Sequence, residues 1–306
     1  MRCRDLSRSF GEVSAVSRLT FDIEAGELFG IVGPDGAGKT TTLRMLAGVL
    51  PPSEGDALLE GVSVAERPEA VKHHIAYMSQ RFGLYGDLTV RENIEFYADL
   101  YQVPRAERGP RLERLYGFSG LGPFERRLAG HLSGGMKQKL GLCCALIHQP
   151  EILLLDEPTF GVDPISRRDL WIIIHEMVGA GMTVVISTAY LDEAERCDRV
   201  AFFDHGRILA LDTPRALQGM TGRTIHVVRA DRPRLAREVL RTEPGVTSAA
   251  LFGDAVHVWF RDPASDWPAA RAALEAAGVR VIEEAAQQPS LEDVFIELAQ
   301  RGDGDE

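Results

Sequence analysis

The chain has 306 residues, 45% hydrophobic and 26% charged. These are ordinary values for a folded protein, which exclude disorder as the default and allow two domains or one large domain with a small appendage. A formal net charge of -11 excludes a general nucleic-acid surface, because affinity for phosphate backbones comes largely from Lys and Arg, though a local basic pocket remains open.

In chain order, residues 1 to about 25 predict two short strands around a Phe10-Gly11 turn. Leu28 to Val32 is an apolar run that reads as a buried strand, and Gly38 to Val49 reads as a helix closed by Pro51-Pro52. Ile75 to Met78 is a further strand. From about Tyr85 to His131 the pattern is helical, opening on the capping box Thr89-Val90-Arg91-Glu92. Ser133 opens another capped helix through His148. Ile152 to Leu155 and Thr183 to Ile186 are short apolar runs of the kind that form central parallel strands. The chain to about residue 220 therefore predicts an α/β unit with a helical insertion.

A boundary is expected near Gln218-Gly219-Met220-Thr221-Gly222. Beyond it the pattern predicts strand 224–228, helix 233–241, strands 246–252 and 255–260, helix 268–277 and strand 279–284. That βαββαβ order is the ferredoxin-like arrangement. Ser290-Leu291-Glu292-Asp293 opens a last helix to about Gln300, and Gly302 to Glu306 reads as a frayed tail. No run of about 18 apolar residues occurs, and the N-terminus MRCRDLSRSF lacks a signal-peptide core. Cys3, Cys143, Cys144 and Cys197 have no CxxC spacing and read as small core residues, as suits a reducing compartment.

Gly33-Pro34-Asp35-Gly36-Ala37-Gly38-Lys39-Thr40 has the spacing GxxxxGK[ST] of a phosphate-binding loop, between a predicted strand and a predicted helix. Its glycines let backbone N–H groups turn onto phosphates, and the following helix adds its positive N-terminal end. Lys39 would meet the β- and γ-phosphates, the Thr40 hydroxyl would ligate Mg²⁺, and Thr41 is counted with them as a nucleotide contact. Ile152-Leu153-Leu154-Leu155-Asp156-Glu157 supplies the complementary half. A buried strand delivers the Asp156 carboxylate to hold Mg²⁺, and Glu157 can polarise the attacking water as general base. Each motif alone has an ordinary reading, a Gly-rich turn or a strand with an acidic end. Together they predict ATP binding and hydrolysis.

Leu132-Ser133-Gly134-Gly135-Met136-Lys137-Gln138 resembles the ABC ATPase signature LSGGQ, with Met136 in place of the commoner Gln. The resemblance implies that Ser133, Gly134 and Gly135 bind the γ-phosphate held by an opposite cassette. It further implies that Phe10 stacks on adenine, a core Phe being the rival reading. Gln80 would reach Mg²⁺, and Asp163 would belong to a dimer-contact loop. After strand 183–186 the family places a histidine that hydrogen-bonds the γ-phosphate; this chain reads Ser187-Thr188-Ala189-Tyr190, so Ala189 stands there. Without that donor a slow or asymmetric site is expected, with binding intact.

The motifs look like the ABC-2-type exporter ATPases, especially the first cassette of tandem proteins. Ser290-Leu291-Glu292-Asp293-Val294-Phe295 looks like the accessory domain that follows such cassettes. What the resemblance implies is an α/β P-loop ABC nucleotide-binding domain over 1–220, with antiparallel β and helical (about 85–131) subdomains. An accessory α+β ferredoxin-like C-terminal domain would cover 222–300. The implied ligands are ATP and Mg²⁺. The implied partners are a transmembrane permease subunit, which would supply the pore, and a second ABC cassette, either a second copy or a histidine-bearing one. The chain would be cytoplasmic, peripheral on the inner face of the cell membrane, with no nucleic acid. A soluble ABC ATPase acting on ribosomes and a non-hydrolysing regulatory cassette are the alternatives. A DNA-repair ABC protein is opposed by the lack of a long heptad segment.

Overall fold

The apolar runs Leu28–Val32, Thr183–Thr188 and Ile152–Asp156 lie side by side with every residue buried, in a computed structural model that describes residues 1–80, 83–220 and 224–302. Branched side chains buried on both faces suit a parallel sheet covered by helices. Ile75–Met78 extends this sheet on one side, and Arg199–Asp204 extends it in parallel on the other. Arg207–Asp212 closes that edge antiparallel, giving a six-stranded sheet. A second, antiparallel sheet runs in the order Val13–Asp22, Arg2–Phe10, Glu54–Leu59, Val62–Ser63. The core includes the stacked pair Phe21 and Phe29 with Leu6, Leu43 and Phe203. Mixed sheets with packed helices are the α/β architecture expected from the apolar patterning.

The first two strands are 9 and 10 residues long rather than short. Register shifts interrupt their pairing near Asp5 and Arg18, which both adopt positive φ, so the strands bend instead of ending. The helical stretch resolves into Val90–Leu100 and Arg105–Ser119, followed by the 3₁₀ turns Gly122–Phe124 and Ala129–His131. Its capping box is formed: Thr89 Oγ1 accepts from Glu92 N–H, and Glu92 accepts from Thr89 N–H. Buried Asn93 stitches the entry loop by donating to the carbonyls of Tyr85, Leu88 and Thr89.

The chain divides into two compact units, Met1–Thr213 and Pro214–Glu306. The expected boundary falls a few residues later, and its Thr221 and Gly222 lie outside the described residues, as do 303–306 of the tail. The second unit has a four-stranded antiparallel sheet in the order Val246–Phe252, Ala255–Phe260, Ile225–Ala230, Val281–Gln287. Helices Pro233–Thr242 and Pro263–Ala276 pack on this sheet. The latter starts five residues before the predicted helix, because Asp262 accepts from Ala264 N–H as an N-cap ahead of Pro263. Leu291–Gly302 follows the cap Ser290, whose Oγ accepts from Asp293 N–H.

All four cysteines are buried free thiols. Burial pushes the thiols of Cys3, Cys143 and Cys197 up to about 12, which leaves them unreactive. Among the described residues, no helix is long and apolar enough to cross a membrane.

Candidate active site

In an open α/β sheet, ligands gather beyond the carboxyl ends of the parallel strands. Four such ends meet here. Leu28–Val32 leads into the loop that starts at Gly33, and Ile75–Met78 leads to Gln80. Ile152–Asp156 leads to Glu157, and Thr183–Thr188 leads to Ala189. The loop from Asp35 to Thr41, with Ala15, Gln80 and Glu157, lines a cleft of about 320 Å³. Gly38 adopts φ +97, and a Cβ there would lie 2.6 Å from the Ala15 carbonyl oxygen, so only glycine fits. Helix Lys39–Leu46 starts from Gly38 without a side-chain cap, which leaves its first N–H groups facing the loop.

Lys39 is 4% exposed. Its Nζ donates to the carbonyls of Gly33 (2.7 Å) and Pro34 (2.9 Å) and pairs with Glu157 Oε1 at 3.2 Å. Glu157 Oε2 accepts from Gln80 Nε2 at 3.0 Å. Glu157 itself adopts φ +47, a left-handed conformation that costs an ordinary residue roughly 1–2 kcal/mol. Its N–H donates to both the carbonyl and the hydroxyl of Ser187, each at 3.1 Å, which holds the strained residue in place.

Asp156 is 1% exposed and fully engaged. Its Oδ1 accepts from Thr40 Oγ1 (2.9 Å) and Ser187 Oγ (2.8 Å), and its Oδ2 accepts from Tyr77 Oη (3.0 Å). Burial and then the charge of Asp156 push the Tyr77 phenol up to about 12, so it stays a donor. Tyr77 and Ser187 escape sequence reading, since one sits inside a predicted strand and the other ends one. The only available signal is a polar side chain at the carboxyl end of an apolar run.

A metal here would meet oxygen donors, Thr40 Oγ1 and the Asp156 carboxylate, with Gln80 nearby. That chemistry fits Mg²⁺, which takes few protein ligands and shares phosphate and water oxygens. Among the described residues no group of three His, Cys, Asp or Glu is arranged to hold a metal ion.

The other expected contacts lie apart from this cleft's lining. Phe10 ends its strand 49% exposed, with the Arg8 guanidinium 4.8 Å from its ring, which removes the core reading. Ser133 caps helix Gly134–Leu146 and accepts from Met136 N–H at 3.3 Å. Gly134 faces open space, whereas a Cβ on Gly135 would lie 2.2 Å from Ser166 Oγ, so this glycine serves packing as well. Asp163 caps helix Pro164–Gly179 by accepting from Ile165 and Ser166 N–H groups. Ala189 lines a separate cavity of about 160 Å³ with Asp35, Glu157 and Thr159. A larger groove of about 950 Å³, lined by Ile152, Thr183, Arg114 and Phe118 among others, lies at the opposite ends of the strands and holds none of the residues expected to contact ATP or Mg²⁺.

Residues 16–160 match the family described as ABC transporter. The chain is 45% identical over 287 residues to the probable multidrug ABC transporter ATP-binding protein YbhF of Escherichia coli (strain K12), covering 93% of this chain. It spans only 49% of that relative's length. It is 34% identical to the daunorubicin resistance ATP-binding protein DrrA2 of Streptomyces coeruleorubidus, over 97% of this chain and 94% of that one. A solved structure of the ATP binding subunit of an ABC transporter is similar with a TM-score of 0.66 and 31% identity, covering 72% of this chain and 92% of the other.

Proposed function

The chain belongs to the ABC transporter ATP-binding family, and on that premise we propose that it hydrolyses ATP to power a separate membrane permease of the ABC-2 exporter type. The observation that carries this reading is the meeting of Lys39, Thr40, Asp156 and Glu157 at adjoining strand ends. Phosphates of ATP would take Lys39 Nζ away from Glu157 and from the loop carbonyls, together with the N–H groups of Gly36 to Thr40. Asp35, Thr41 and the exposed ring of Phe10 would complete the nucleotide contacts. Thr40, Asp156 and Gln80 would hold Mg²⁺, which neutralises phosphate charge when bound. Freed from Lys39, Glu157 would accept the proton of the attacking water.

Ser133, Gly134 and Gly135 lie outside the cleft's lining, so their anion-binding surface would serve the nucleotide of a second cassette. Two cassettes would thus close around two ATP molecules and reopen on hydrolysis. Docking to the permease would use the helical segment, where Tyr85 and Phe96 pack edge to face at 4.7 Å and remain exposed with Leu100.

The test is calorimetric and kinetic. Lys39→Ala should weaken Mg·ATP binding by about 1.5–3 kcal/mol, the worth of a charge-assisted hydrogen bond. Glu157→Gln should keep binding, cut turnover by about 10²–10⁴, and trap an ATP-bound dimer on size exclusion. Unchanged affinity in the first variant, or parental turnover in the second, would sink the assignment.

A further inference from the structure

The segment Thr188–Tyr190 leaves its strand beside Glu157, and one buried carboxylate holds it there. Glu193 has no exposed surface. Its Oε2 accepts from Thr188 Oγ1 at 2.6 Å, and its Oε1 accepts from Arg167 Nε at 2.6 Å and Trp171 Nε1 at 3.3 Å. Thr188 Oγ1 in turn accepts from Tyr190 N–H at 3.0 Å, which fixes the turn that carries Ala189. Arg167 also donates to Asp192 at 2.8 Å and sits 5.0 Å from the centroid of the Tyr190 ring. Arg167 and Trp171 both belong to helix Pro164–Gly179.

That helix also touches the signature helix. Ser166 meets Gly135 so closely that no side chain fits between them, and Asp169 pairs with Lys139 at 2.8 Å. The first half of one helix therefore contacts both Gly134–Leu146, through Ser166 and Asp169, and residues 188–193, through Arg167 and Trp171. Charge-assisted bonds to a carboxylate with no exposed surface are short, directional and hard to replace by water.

We propose that Arg167 and Glu193 are positioning residues, through which engagement of the Ser133–Gly135 face by a second cassette sets the place of Ala189 and Tyr190 against Glu157. The inference rests on the proposed two-cassette ATPase. Neither residue lines the cleft at the phosphate loop or the cavity at Ala189; both act through the Thr188–Tyr190 turn. Misplacement of about 1 Å near reacting groups costs up to about 10²-fold in rate. An interaction that serves only the reacting state lowers kcat without raising KM.

The full chain is compared with Glu193→Gln, Arg167→Lys, Thr188→Val and Thr188→Ser for ATP turnover, KM and thermal midpoint. Glu193→Gln keeps shape but loses charge, Arg167→Lys loses the two-pronged reach, and Thr188→Val removes the bridging hydroxyl without changing volume. Expected is a fall in kcat of about 10- to 100-fold in these three, with KM within about twofold of the parent. Thr188→Ser should restore most of the rate lost in Thr188→Val. Should Glu193→Gln fail to fold, the Thr188 pair decides alone. Parental kcat in Thr188→Val, or equal losses in Thr188→Val and Thr188→Ser, overturns the inference. A parent chain that turns over no ATP removes the ATPase reading instead. The inference is then judged by amide exchange at Ala189 and Tyr190, which must quicken in Glu193→Gln while Leu28–Val32 stays protected. Unchanged exchange there overturns it.

Discussion

Ala189 presents only a methyl group to a cavity of about 160 Å³ that it shares with Glu157 and Asp35. The space suffices for an imidazole, and the neighbouring carboxylate of Glu157 is where charge would change if it is the base as proposed. Ala189→His should therefore raise ATP turnover by about tenfold with little change in affinity, read by steady-state kinetics beside calorimetry. The gain stays below the roughly 10²–10³ of a preorganised donor, because the backbone is shaped around Ala189 and Tyr190. No rise in turnover at unchanged affinity would show that the cavity does not aim a donor at the reacting phosphate. That Lys39, Thr40, Asp156 and Glu157 meet is legible in the sequence, because each closes or follows a run whose local order sets it at a strand end. Tyr77 and Ser187 are not, since both bond Asp156, 79 and 31 residues away, and Glu193 is not, since Arg167 and Trp171 lie 26 and 22 residues from it. Only folding brings such pairs together.

Two adjacent glycines separate the roles of one helix start. Gly134 has nothing within 4 Å of a built Cβ, so Gly134→Ala should stabilise the single chain by about 0.5–1 kcal/mol, the usual gain over glycine in a helix. Gly135→Ala must push Ser166 aside and should destabilise by about 1–3 kcal/mol, as overpacking does. Denaturant unfolding of both variants checks the contrast, and equal effects would refute the packing role of Gly135. The elements most legible in the sequence were those with strong apolar runs or capping boxes. Strands Glu54–Leu59 and Arg207–Asp212 went unread because each pairs with a neighbour while exposing much of its length, leaving no clean alternation. Helix Pro164–Gly179 has no counterpart among the predicted elements, which place only Asp163 in a dimer-contact loop, although Asp163-Pro164 carries both a cap and a first-turn proline.

At the scale of the whole chain, the second unit begins at Pro214, and helix Pro214–Gly219 packs on helix Leu291–Gly302. Leu217 has no exposed surface. A chain ending at Thr213 should stay soluble and bind ATP with parental affinity, whereas one ending at Met220 should aggregate more because Leu217 loses its cover. Size exclusion and calorimetry on both truncations test this. A Thr213 truncation that is insoluble over repeated preparations places the boundary elsewhere. The division itself is legible only approximately, because the stretch 218–222 that suggests a linker begins within the last turn of helix Pro214–Gly219 instead of preceding that helix.

The pairing of Lys39 with Glu157 has a consequence for how the whole machine idles. On the proposed roles, the ammonium that would bind phosphate and the carboxylate that would act on water are partners of each other, 3.2 Å apart. An arriving triphosphate would then be a rival suitor for Lys39, and the affinity for ATP would be a difference between two allegiances of one ammonium group. Glu157→Gln would then act twice, slowing the chemistry by removing the base and freeing Lys39 by removing the incumbent.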